Sequence, residues 1–139
     1  MNRAELQQLA EDRLLDAQAL LAAGRWSGAY YLAGYAVECA LKSCVLAYII
    51  KTGVIFDDKK YAEKCWTHDI EALVKLADLE AARGVAIAAN GLLSSNWSVV
   101  GDWWEGARYE QKTQLEAQSL FDAVGDSSHG VLQWIRGHW

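Results

Sequence analysis

One apolar run, residues 25–51 (RWSGAYYLAGYAVECALKSCVLAYIIK), constrains this chain more than any other stretch. Apolar residues at 26, 30, 33, 37, 41, 44 and 48 recur at the three- and four-residue spacing of one helix face. Ala29, Ala36, Ala40, Val45 and Ile49 widen that face until most of the helix surface is apolar. Such a helix needs neighbours on several sides, which predicts the centre of a helical bundle. Only one strip stays polar: Ser27, Tyr31, Gly34, Glu38 and Lys42. Glu38 stands four residues before Lys42, the favoured order for an ion pair along a helix. The strip is either a solvated face closed by a surface pair of at most ~1 kcal/mol, or the border of a cleft. Gly28, Ala29, Gly34 and Ala36 are small enough to admit another backbone closely. The run is long enough to cross a membrane, which takes about 20 residues. Glu38 and Lys42 near its centre argue against that, at about 2.5–3.5 kcal/mol each on insertion scales.

The remaining segments predict further helices around this one. Residues 3–23 form a first helix, opened by an Asn2/Glu5 capping box and closed by Gly24. Its buried stripe is Leu6, Leu9, Leu14, Ala17, Leu20 and Leu21, and the short turn after it predicts an antiparallel hairpin with the central helix. Residues 52–66 break the period and read as a loop with at most a helical turn near Tyr61–Cys65. Thr67 or His68 caps a short third helix carrying Ile70, Leu73, Val74 and Ala77. A fourth helix is expected over about 80–100, weakened by Gly84 and Gly91. Residues 101–112 (GDWWEGARYEQK) are irregular, and Thr113 with Glu116 then opens a fifth helix that ends at Gly137. Gly125 and Gly130 are blemishes within it. The expected fold is all-α, an up-and-down bundle of about five helices in a single domain over 1–139.

Composition narrows the function classes. The absence of proline suits helices throughout. Three cysteines, an odd number, do not make a disulfide framework, and the polar N-terminus lacks the pattern of a secretory leader, so a reducing cytoplasm is expected. A net charge of −5 is a poor overall footprint for gripping a nucleic acid backbone, although it leaves room for a local basic site. Five of the seven tryptophans fall at 97, 103, 104, 134 and 139, a crowding that serves a core plus an interface.

Motifs for chemistry are sparse. Cys65 and His68 stand three apart, but no second close ligand pair accompanies them, so neither a metal nor any other cofactor is expected. No phosphate-binding glycine loop and no nucleophile elbow occurs, and Cys39 lies in an apolar helix where a thiol is inert. The remaining candidate cluster is Trp97, Trp103, Trp104, Arg108 and Tyr109. A guanidinium offers a planar fork to phosphate, and aromatic faces stack on bases. The competing reading has the rings packing the end of the bundle while Arg108 pairs with a carboxylate such as Glu38.

Taken together, AYYLAGYAVECALKSCV (29–45), THDIEALVKLA (67–77), Trp97, ARYE (107–110) and a final amphipathic helix ending in WI resemble a HEPN (higher eukaryotes and prokaryotes nucleotide-binding) domain over about residues 5–136. The resemblance implies an all-helical bundle, usually a homodimer. It implies one of three roles: a metal-independent RNase of a toxin–antitoxin or defence system, the partner of a minimal nucleotidyltransferase, or a nucleotide- or RNA-binding module. HEPN RNases carry Arg-x4–6-His. Here the arginines at 3, 13, 25, 83, 108 and 136 have no histidine at that spacing, and Arg136 and His138 are only two apart. The expected role is therefore a noncatalytic module. Arg108 would meet phosphate, Tyr109, Trp97 or Tyr31 would stack on a base, and Lys42 would add charge. Glu38, carried over by position, either binds ligand or holds the fold. The alternatives are an RNase with a displaced pair (Arg108 with His129, or Arg136 with His138) and a dimerisation module anchored on Trp103 and Trp104.

Overall fold

A computed structural model describes residues 1–139. The chain is all-helical, with eight α-helices and two short 3-10 turns. Helix α1 (Arg3–Ala22) begins with the expected capping box: Asn2 accepts from the Glu5 amide and Glu5 from the Asn2 amide. Gly24 turns the chain with φ +74°, a left-handed conformation that favours glycine. Helix α2 (Trp26–Thr52) then runs back antiparallel to α1, as the Gln7–Ser43 hydrogen bond (3.2 Å) and the approach of Gly28 to Leu20 show.

Helix α2 is the hub. It packs on α1, α4 (Ile70–Leu76), α7 (Gln114–Gly125), α8 (Val131–Arg136) and the 3-10 turn Glu105–Tyr109. Its length and apolarity are those of a membrane span, but 61% of its most apolar window is buried inside the bundle. The core around it includes Val37, Leu41, Leu73, Val74, Leu120, Val124, Leu132 and Ile135. The C-terminus is tied back to α1 by a bidentate Arg136–Glu11 pair at 2.7 Å.

The helix count exceeds the expected five because three segments are subdivided. Residues 52–66 are more than a loop: they hold a 3-10 turn (Val54–Phe56) and α3 (Lys59–Lys64), whose N-cap Asp58 accepts from the Lys60 amide. The expected helix over 80–100 is broken at Asn90, which leaves helical geometry (φ −142°, ψ 108°) and caps a new helix through the Leu93 amide. This yields α5 (Glu80–Ala89) and α6 (Gly91–Gly101). The last helix is likewise split between α7 and α8. The Asp126 carboxylate collects the Ser128 and His129 amides. At Gly130 a Cβ would sit 2.4 Å from the Asp126 carbonyl oxygen, so the turn needs glycine there. His68 caps nothing: the N-cap of α4 is Asp69, which accepts from the Ala72 amide.

Candidate functional site

Tyr31, Tyr35, Glu38 and Lys42 lie at four-, three- and four-residue steps along α2, so they share one face. From Tyr31 to Lys42 the face runs about 16 Å at ~1.5 Å per residue. The Tyr31 and Tyr35 rings stack at 6.1 Å with an interplanar angle of 7°. Trp103 leans on Tyr31 at 5.9 Å and is buried against Gly34, where a Cβ would meet its ring at 2.2 Å. Gly34 is thus the position at which the 101–109 segment seats on α2.

At the middle of this face Glu38 is 1% exposed, so the strip is not a solvated surface. A carboxylate removed from water needs partners. Glu38 has two, both on Oε1: Lys42 Nζ at 2.8 Å and His68 Nδ1 at 2.7 Å. His68 comes from the segment just before α4 and keeps about half of its side chain exposed. Its other nitrogen, Nε2, lies 3.4 Å from Glu105 Oε2. Through its two ring nitrogens His68 spans the Glu38 and Glu105 carboxylates. Glu38 therefore holds α2, the start of α4 and the Glu105–Tyr109 turn together. The competing Arg108–Glu38 bridge does not form: Glu38 is paired with Lys42 and His68 instead.

Arg108 is exposed at the end of the strip and makes no ion pair. Its guanidinium lies 4.9 Å over the Tyr109 ring. The neighbouring phenols, Tyr109 first and then Tyr31, push the guanidinium above its ordinary value. Tyr109 is 81% exposed, a free aromatic face.

The structure thus gathers Tyr31, Glu38, Lys42, Arg108 and Tyr109 along one side of α2 and leaves Trp97 out. Trp97 is buried in the core, edge-on to Trp134 at 5.8 Å with the Arg83 guanidinium over its ring at 4.9 Å. It has no face to offer a base. Trp103 is also a core residue and does not anchor a surface, whereas Trp104 is 57% exposed. Beside Trp104 opens a cleft of about 230 Å³ lined by Thr67, His68, Asp69, Glu71 and Glu105 among others.

The two displaced Arg/His pairs do not assemble. Arg136 is taken by Glu11 and Gln133. His129 contacts Asn90 through Nδ1, and the His138 ring rests on Trp134 at 4.3 Å. Burial pushes the thiol of Cys39, the one expected to be inert, up to about 11, and that of Cys44 up to about 12. No group of three or more His, Cys, Asp or Glu side chains is arranged to hold a metal ion. The sequence reading missed His68 and Glu105 as site residues. Their meeting with Glu38 is a contact between distant segments, and only the place of His68 beside the α4 cap hinted at a use for it.

The chain matches no family model, no curated protein and no solved structure.

Proposed function

We propose that this chain is a noncatalytic HEPN-type module that binds a nucleotide or single-stranded RNA along the Tyr31–Lys42 face of α2. The observation that carries the reading is Arg108: an exposed arginine with no ion-pair partner, its guanidinium 4.9 Å over the ring of the open Tyr109. Guanidinium and ring together suit one phosphate and one stacked base. Lys42 is a weaker candidate contact, because Glu38 already holds its ammonium. Glu38 acts as the anchor of the site and Trp97 as part of its support. In this reading the protein works in the cytoplasm beside a nucleotidyltransferase-like partner of a toxin–antitoxin-like pair.

The test is a titration with ATP, GTP and a short single-stranded RNA followed by tryptophan fluorescence, since Trp103 and Trp104 border the site. Saturable quenching in the native protein, lost in Arg108→Ala, supports the module. Unchanged affinity in Arg108→Ala removes the site.

A second reading has one observation in its favour. His68 is oriented by a buried carboxylate and lines the cleft, the placement of a general acid or base. A metal-independent RNase built on His68 would cleave RNA in His129→Ala/His138→Ala but not in His68→Gln. Homodimerisation has a suitable surface in the apolar groove of about 520 Å³ between α1, α2 and α3, rimmed by Met1, Ile55 and Trp66. Trp66 is 88% exposed there, and Trp66→Ser should dissociate a dimer that uses this groove.

A further inference from the structure

The cleft beside Trp104 has a chemistry of its own, distinct from that of Arg108. Its wall presents hydrogen-bond acceptors. Thr67 Oγ1 accepts from the Asp69 amide, Asp69 Oδ1 from the Ala72 amide, and both Glu71 oxygens from Arg83 at 2.6 and 2.7 Å. Glu105 keeps most of its capacity: its one contact is the 3.4 Å approach of His68 to Oε2. A phosphate would meet repulsion here, whereas a group with two adjacent N–H donors would be welcome.

The lining also includes an exposed indole held at two points. Trp104 Nε1 donates to Glu110 Oε1 at 3.0 Å. The far edge of its ring lies over Gly106, where a Cβ would stand 2.1 Å away. A surface tryptophan held at both ends has less rotamer freedom to lose when a ligand stacks on it, which favours a stacking platform. At about 230 Å³ the cleft is smaller than sites for drug-sized ligands, roughly 300–1,000 Å³, and suits a single base.

Glu105 and Arg108 are the first and fourth residues of one 3-10 turn. With three residues per turn and ~2.0 Å per residue they lie on the same side, about 6 Å apart along the axis. A carboxylate and a guanidinium at that spacing can take the base and the phosphate of one nucleotide.

We propose that the cleft reads guanine, which stacks on Trp104 and donates N1–H and N2–H to the Glu105 carboxylate while Arg108 holds its phosphate. The inference rests on the nucleotide-binding reading above and names its ligand. Adenine and cytosine present one donor beside a ring acceptor, and hypoxanthine lacks the amino group altogether, so each leaves part of the carboxylate unpaired. The chain Glu38–His68–Glu105 makes Glu38 and His68 positioning residues for the reading carboxylate.

The experiment titrates the full chain with GMP, IMP and AMP, each also against Glu105→Gln and Arg108→Ala, following tryptophan fluorescence. Glu105 is half-exposed and outside the core, so the Gln variant should keep the fold, verified by circular dichroism. GMP should bind at least about fivefold more tightly than IMP and AMP, the lower end of what a bidentate base contact discriminates. Glu105→Gln should bring the three within about twofold of one another, and Arg108→Ala should weaken all three alike. Equal binding of GMP, IMP and AMP that still depends on Arg108 overturns the guanine assignment and leaves the binding module standing. Preference for GMP retained in Glu105→Gln overturns the role of Glu105. Binding of none of the three, with free arginine bound instead, overturns both readings.

Discussion

Gly34→Ala should destabilise the protein, although alanine is the better helix former. Gly34 lies in the interior of α2, and a Cβ there would stand 2.2 Å from Trp103 Cδ1 and 2.3 Å from Cγ and Nε1. Ordinary carbon contacts are about 3.5–4.0 Å, so the overlap exceeds 1 Å. Trp103 has little room to yield: it is 4% exposed and braced by Tyr31. Overpacking of this kind costs about 1–3 kcal/mol, against which the gain in helix propensity is at most about 1 kcal/mol. Because Trp103 cannot yield, the cost falls in the upper part of that range, about 2–3 kcal/mol, and a net loss of about 1–2 kcal/mol follows. For a chain of 139 residues that lowers Tm by roughly 3–8 °C. Gly84 supplies the control. It lies in α5, is exposed, and a Cβ added there would have nothing within 4 Å, so Gly84→Ala should raise Tm by a few degrees. Thermal unfolding followed by far-UV circular dichroism measures both. A rise in Tm for Gly34→Ala equal to that for Gly84→Ala would refute the packing of Trp103 on α2, and with it the seat of the 101–109 segment.

Three further outcomes are expected. Glu38→Gln removes a buried charge shared by Lys42 and His68; breaking such a pair costs about 3–5 kcal/mol when both sides are buried, and the solvent access of Lys42 (28%) and His68 (49%) reduces this to about 1–3 kcal/mol, read as a lower urea midpoint with unchanged slope. An unchanged midpoint would mean that Glu38 anchors nothing. The Glu71 carboxylate is held below its ordinary value by its hydrogen bonds to Arg83. A carboxylate lowered on folding stabilises above its unfolded value and loses that contribution as pH falls through the folded one. Stability should therefore decline below about pH 4.5, less steeply in Glu71→Gln, with solvent screening keeping the difference small. A disulfide-exchange reagent at pH 8 should modify Cys65 before Cys39 and Cys44 in the folded protein, because both of the latter are buried. Equal rates at all three would contradict the packing of α2.

Much of the architecture was legible in local pattern. The apolar circumference of residues 25–51 required a central helix, and α2 (Trp26–Thr52) is that helix. Asn2/Glu5 and Thr113/Glu116 form the capping boxes that their spacing predicts. The breaks at Asn90 and Asp126 were not legible, because Asn and Asp read equally as exposed helix residues until their side chains are seen to collect amides. Burial of individual tryptophans was hidden for a related reason. Trp97, Trp103 and Trp104 are chemically identical, and only tertiary packing puts the first two inside and the third outside. The polar strip of α2 was visible as a pattern, as were Arg108 and Tyr109. What covers Glu38 was not, since His68 stands 30 residues away in sequence.

The most direct test of the central claim, that one face of α2 and the Glu105–Tyr109 turn form a nucleotide site, is an amide chemical-shift map with GMP and with a short single-stranded RNA. The account predicts perturbations concentrated at Tyr31, Tyr35, His68 and residues 104–109, saturating with ligand and absent in Arg108→Ala. Perturbations centred on the groove of Met1, Ile55 and Trp66, or none along the α2 strip, would contradict it.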